Sequence, residues 1–537
     1  MQLFLIGVFV TILAVLALAT VAAPPAGAPI PNAEARVPAP TAEVPPGRVG
    51  RLSLVSGNVS VRASSGWADA VLNLPLSAGG SLRTGAQARA EIEIGADTID
   101  LSSDTEIEIT TLNDLVMRVA VARGRIGLSL TQLGAGESVE VGVSGQDVAL
   151  VEPGRYDVDA GRQRIAVFAG AARLIGGAAD VGVKTGDMVL LADPPATAAI
   201  EPAPRDDFIE WCESRDFDER RLVAPYYISP YMTGFAELDA AGSWESAAEY
   251  GAVWVPIGLP SDWAPYRDGH WRWIAPWGWT WIDDQPWGFA PSHYGRWAYI
   301  GEHWAWVPGS FVARPVYVPA VVAFLGTAGV GLSIADTTGP GIGWFPLAPG
   351  EAYWPSYSRD PAYVRSLNRG DVSDLETIQL DANGEPPLEV FDGDFANRRF
   401  ASVVPRPVFV NGGAVAPALL TLPEQRLQNA PVLMGSPQVG PPVLRVAVAA
   451  PAIARSSRAQ WVNHIAALVA RSVSRAKALQ TAFMHRRDAD RAPRLHGAHL
   501  RAPAFAQSAP PRHTIVLRVA HFAVAPAHGG AGKEHRH

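Results

Sequence analysis

The strongest constraint on this 537-residue chain is a repeating arrangement of tryptophan. Gly242-Ser-Trp244 is followed ten residues later by Trp254. Gly269-His-Trp271 is followed ten later by Trp281, and Gly295-Arg-Trp297 nine later by Trp306. The glycines stand 27 and then 26 residues apart, so one short unit recurs three times. Each unit predicts a β-hairpin. In the second, His270 to Ile274 and Trp279 to Ile282 flank a turn at Ala275-Pro276-Trp277-Gly278. Trp271, Trp273, Trp279 and Trp281 then become cross-strand neighbours, and such aromatic pairs contribute about 0.5–1.5 kcal/mol beyond area burial. A lone hairpin is marginal in water, so consecutive units are expected to stack. The glycine opening each unit lets backbone or a ring approach closely.

Fourteen of the 17 tryptophans lie between residues 244 and 354. Two uses of so many rings stay open: filler for a domain of short hairpins, or a platform that stacks sugars or cages a cation. For the platform the candidate ligand-binding residues are Trp263, Trp277, Trp287, Tyr266 and Asp268. Trp277 and Trp287, placed in turns, are the rings expected to be exposed. Catalysis is not expected: His270, His293 and His303 are the only histidines before residue 401, and this region holds no nucleophile-elbow, zinc-protease or P-loop motif. One cysteine, Cys212, permits neither an intramolecular disulfide nor a cysteine-based zinc site. No cofactor or metal is expected.

Residues 48–195 carry a different signal. Ala90-Glu-Ile-Glu-Ile94, Glu106-Ile-Glu-Ile-Thr110 and Val139-Glu-Val-Gly-Val143 alternate polar and apolar, with glycine turns about every ten residues. Period-2 alternation predicts strands with one face in a core and the other in water. Short strands at that spacing predict a β-roll, sandwich or solenoid.

Gly57-x-Val59, Trp67, Leu82-Arg-Thr-Gly85, Ala88-Arg-Ala-Glu-Ile92, Glu152-Pro-Gly-Arg-Tyr156 and Val183-Lys-Thr-Gly186 resemble the FecR-type extracytoplasmic domain. Gly80 departs from that pattern, which usually has Asp before the Arg-Thr-Gly turn. The resemblance implies a periplasmic β domain of a kind known from anti-sigma regulators. With an apolar run beginning at the N-terminus, the anti-sigma activity itself is not expected. Arg83 and Arg89 are expected to fix turn and strand-edge geometry. Pro265 to Trp271, Pro276 to Trp281, Pro286 to Pro291, Trp304 to Gly309 and Gly343 to Gly350 resemble a Trp-rich domain of unknown function found downstream of FecR-type domains in exported bacterial proteins. That resemblance brings architecture and no activity.

The flanks complete the expected organisation. Leu3 to Val21 is uncharged and apolar, so residues 1–23 read as a cleaved signal peptide or an uncleaved N-terminal anchor. Residues 24–47 are a Pro-rich linker and 48–195 the FecR-like domain. Residues 205–222 are an acidic connector with Phe208, Trp211, Cys212 and Phe217 at helical spacing. Residues 223–355 are the Trp-rich hairpin domain, and 400–537 a basic, low-complexity, disordered tail. From residue 401 onward, 17 basic residues stand against 4 acidic ones, so a net charge of -8 divides into a body of -21 and a tail of +13. The body therefore lacks the positive excess of a nucleic-acid binder. The tail and the N-terminus leave membrane contact open.

The expected fold class is mainly β. The expected function is an exported, non-enzymatic interaction or scaffold module, located in the periplasm or anchored facing it, with an envelope protein or polysaccharide as partner. A binder of cell-wall carbohydrate or peptidoglycan and a periplasmic signalling sensor are the alternatives.

Overall fold

The computed structural model describes residues 45–440, apart from 64–65, 176–180, 192–199, 217–221, 327–331, 333–339, 379–393, 434 and 438. The N-terminal apolar run, most of the Pro-rich linker, Phe217 and the tail beyond 440 lie outside the described residues. The protein is mainly β, as its alternation predicts. Among the described residues no helix is long and apolar enough to cross a membrane.

The first unit is two nine-stranded sheets packed face to face. One, the covered sheet, centres on Gly50–Ser56, Arg89–Ile94, Asp97–Leu101, Arg125–Leu130 and Gly154–Asp159. The other, the open sheet, centres on Ser81–Thr84, Glu106–Leu112, Val116–Arg123, Ser138–Val143 and Gln146–Leu150. The apolar half of each alternation meets between them: Ile92, Ile94, Ile99 and Ile126 from one, Ile107, Ile109, Val119 and Val141 from the other. Of the alternatives roll, sandwich and solenoid, this is a sandwich. Among the described strands one pair is parallel, Val116–Arg123 with Ser138–Val143.

The connector folds as a helix over Asp207–Arg215. The Asp206 side chain accepts from the Phe208 and Ile209 N–H groups and caps it. Phe208, Ile209 and Cys212 are buried against the covered sheet, with Cys212 over Gly127.

The three Trp hairpins form as expected: Gly242–Ala247 with Gly251–Pro256, Gly269–Ile274 with Gly278–Asp283, and Arg296–Ile300 with His303–Val307. Their stacking is not consecutive. The first and third share one sheet through a Trp254–Trp306 pairing, and the second stands as its own two-stranded sheet. The leading glycines have one job in all three. A Cβ on Gly242, Gly269 or Gly295 would come within 2.7 Å of ring atoms of Trp254, Trp281 or Trp306, and on the last two also against the carbonyls of Ile282 and Val307. Those three rings are the fully buried ones on the return strands. The repeat is therefore a packing rule: glycine vacates the space that the partner tryptophan fills.

The folded region extends past both expected boundaries. Ser402–Pro405, Gly341–Pro346, Val322–Leu325 and Val432–Leu433 form a further sheet. Phe409 packs 5.2 Å from Trp271 and 4.5 Å from Trp279, and Trp279 Nε1 donates to Val439 O at 3.0 Å. The tail placed from residue 400 therefore begins no earlier than 440, and the Trp-rich unit does not end at 355. Strands of two to four residues carry too little periodicity to announce themselves.

Candidate functional site

The five sequence-predicted residues do not converge on a surface. Trp277 is buried against Tyr317 at 4.8 Å between ring centroids. Trp287 is buried between Trp254 at 5.0 Å and Trp263 at 5.8 Å. Trp263, partly buried, also contacts Trp297. Tyr266 is buried; its hydroxyl donates to Ser292 O at 2.9 Å and accepts from Val321 N–H. Asp268 accepts from Gln285 Nε2 at 3.0 Å. The expectation that Trp277 and Trp287 are exposed is thus corrected. Chain outside the repeats, Tyr317 among it, covers the turn, and the neighbouring units enclose Trp287. The exposed ring of the second hairpin is Trp273, at 43%. The tryptophans are chiefly core.

The histidines divide similarly. His293 is fully buried with Nδ1 2.7 Å from Val318 O, and burial pushes it down to about 3, so it stays neutral. His270 sits 3.6 Å from Asp284. Among the described residues no group of three His, Cys, Asp or Glu side chains could hold a metal. Burial pushes the Cys212 thiol far above its usual value, as suits a small apolar side chain rather than a nucleophile.

Two arrangements were not foreseen. The first is a buried polar seam that fixes the covered sheet to the Trp-rich unit. Arg51 is 1% exposed. Its guanidinium pairs with Glu93 at 2.8 Å and Glu237 at 2.6 Å, and donates to Asn73 Oδ1 and to Pro286 O. Asn73 Nδ2 in turn donates to Asp283 O and Gln285 O, and Gly234 N–H donates to Glu93. Burial, then the nearby Glu237 carboxylate, raises Glu93. Beside the seam the connector helix is held by charge. Arg215 makes two 2.8 Å bonds to Glu91, Arg125 pairs with Asp206 at 2.7 Å, and Arg89 lies 4.4 Å over the Trp211 ring. Arg89 and Arg83, the latter 4.3 Å over Trp67, thus act through ring contacts.

The second is an exposed aromatic surface. Tyr226 is 82% and Phe311 65% exposed, and Tyr227 stacks on Trp244 at 4.6 Å. Tyr227 and Phe311 border one cleft with Ser229, Ser310 and Arg369. The cleft holds only about 30 Å³, space for a water, so anything recognised here meets ring surfaces and is not engulfed. Tyr226-Tyr227 and Phe311 stand outside the repeats, and single aromatics in loops give no sequence signal of exposure.

Comparison with known proteins adds one family. Residues 235–351 match the model of a family of unknown function, DUF6600, inside the unit expected from the Trp repeats. No curated protein matches the chain. Two crystal structures of a candidate anti-sigma factor from Parabacteroides distasonis ATCC 8503 are similar to part of it. Each has a TM-score of 0.22, with 12% and 11% identity, covering 25% of this chain and 63% and 64% of theirs. The chain spans under two thirds of those structures, and a likeness of that size carries no argument about function.

Proposed function

We propose that this protein is an exported, non-enzymatic interaction or scaffold module of the bacterial cell envelope, built from a FecR-type sandwich and a Trp-rich hairpin unit. The observation that carries the reading is the pair of exposed rings Tyr227 and Phe311 bordering one cleft, with the 82% exposed Tyr226 next to Tyr227 in the chain. Apolar rings left in water on an otherwise well-filled core mark a contact surface. The FecR resemblance and the uncharged Leu3 to Val21 run support an extracytoplasmic location.

The test is a tagged full-length chain in its native host, fractionated and photo-cross-linked from position 226. The expected result is an extracytoplasmic fraction and a discrete cross-linked partner that Phe311→Ser removes. A cytoplasmic protein, or a cross-linking pattern identical to one from the exposed sheet position Glu108, would overturn the proposal.

A further inference from the structure

A second concave surface lies on the far edge of the hairpin sheet. Arg296–Ile300 is the edge strand of the sheet formed by the first and third hairpins. Between its Tyr299, the turn Arg398–Phe400 and the helix Glu424–Gln428 runs an open groove of about 330 Å³. Tyr299, Arg399, Phe400, Leu422, Glu424 and Leu427 line it.

The groove's chemistry is uneven. Tyr299 and Phe400 are tilted 47° to each other with 4.6 Å between ring centroids, and Trp304 lies 5.0 Å from Phe400. Tyr299 is 37% exposed. The exposed Arg399 guanidinium lies 4.7 Å over Phe400 and 6.0 Å from the Tyr299 ring. Among the described residues it forms no ion pair, so its edge N–H groups are available to an anion. On the opposite wall Glu424 accepts from Gln428 Nε2 at 2.9 Å. An extended peptide cannot simply add to this edge. Trp297 N–H already donates to Leu347 O, and its carbonyl accepts from Asn397 Nδ2.

We infer that this groove binds a carboxylated sugar residue of an acidic glycan. The apolar face of the sugar ring stacks on Tyr299, with Phe400 and the Arg399 guanidinium that lies over it bounding the site. Its carboxylate pairs with the edge of Arg399, and its hydroxyls donate to Glu424. Ring faces, one unpaired guanidinium and one carboxylate supply the three contacts such a residue needs, and a groove open along its length admits a chain. The inference is independent of the Tyr226 surface, so each can fail alone.

The experiment is calorimetric titration of the full chain with galacturonate, mannuronate and glucuronate tetramers, each beside its methyl ester, and with tetraglutamate. At least one acidic tetramer is expected to bind about tenfold more tightly than its ester, the ratio a charge-assisted hydrogen bond gives. Arg399→Gln should erase that ratio. Tyr299→Ala should abolish binding while Tyr299→Phe, which keeps the ring and the fold, retains it. Binding to none of the acidic tetramers, equal binding of acid and ester, tetraglutamate binding as tightly as the sugars, or unchanged affinity in Arg399→Gln would each overturn the inference.

Discussion

The two sheets of the sandwich begin from nearly the same sequence and end differently. Glu91 and Glu93 alternate with Ile92 and Ile94; Glu106 and Glu108 alternate with Ile107 and Ile109. All four isoleucines face the shared core. Yet Glu91 and Glu93 are 0% and 1% exposed, whereas Glu108 faces water and Glu106 is half-buried. Period-2 alternation decides which face meets the core. It does not decide whether the polar face stays wet. The covered sheet's polar face is closed by chain arriving more than a hundred residues later, and Glu91 and Glu93 are each met by a cation or an N–H group. Burying charge is tolerable only on that condition.

The sharpest way to break the comparison is to remove the matching arginine from each sheet. Arg51→Ala strands Glu93 in a buried site, with the partly exposed Glu237 beside it, and is expected to cost about 3–5 kcal/mol in denaturant unfolding. Arg118, on the open sheet, bridges Glu140 and Asp147 with 38% of its side chain exposed. Its replacement by Ala is expected to cost less than about 1 kcal/mol. Similar losses for the two would mean that the covering of the polar face contributes nothing specific.

What the sequence made legible follows from the range over which a signal acts. The Gly-x-Trp repeat was readable because the glycine and the ring it accommodates lie within one hairpin. The strands and the connector helix were readable for the same reason: Phe208 and Cys212 share a helix face set by local spacing. Exposure of Trp277 was misjudged because its cover, Tyr317, comes forty residues later. The fate of Glu93 was misjudged because Gly234 and Glu237 belong to another unit. Phe409 and Val439 sat in what composition marks as tail, and only the buried rings they complete reveal them as core.

A smaller contrast compares two mid-strand glycines on the same two outer faces. Gly127 lies beneath the connector helix, where an added Cβ would come within 2.7 Å of Cys212 Sγ. Gly142, on the open sheet, would meet only Asp147 Oδ1 at 3.4 Å and Ala120 Cα at 4.0 Å. Gly127→Ala is therefore expected to cost about 1–3 kcal/mol by overpacking and to speed proteolysis within the connector. Gly142→Ala should shift stability by no more than about 0.5 kcal/mol. An unchanged digestion pattern in Gly127→Ala would show that the connector is not held where Cys212 places it.

The smallest expected effect is a pH dependence whose sign separates the covered face from its rim. Burial, then Glu91, raises Asp100 to about 8, with Cys212 and Arg215 of the connector pulling it down. Burial, then Glu237, raises Glu93, against Arg51 and the Gly234 N–H. A carboxyl raised on folding stabilises the fold below its unfolded value, and that contribution is lost as pH climbs toward the folded one. At the rim the order reverses. Burial pushes Asp206 up, but Arg125 and the helix N–H groups outweigh it and hold it below its ordinary value. Glu213 is likewise lowered, burial being outweighed by Arg205 and Arg155. Those two contributions persist at neutral pH and disappear in strong acid. Urea unfolding should thus show stability falling steadily as pH rises from about the ordinary carboxylate range, near 4, toward about 8. Asp100→Asn, which cannot ionise, should make that decline shallower, Glu93 still contributing, and leave the acid limb intact. A decline of the same slope in Asp100→Asn would place the proton uptake elsewhere and detach the pH response from the covered face.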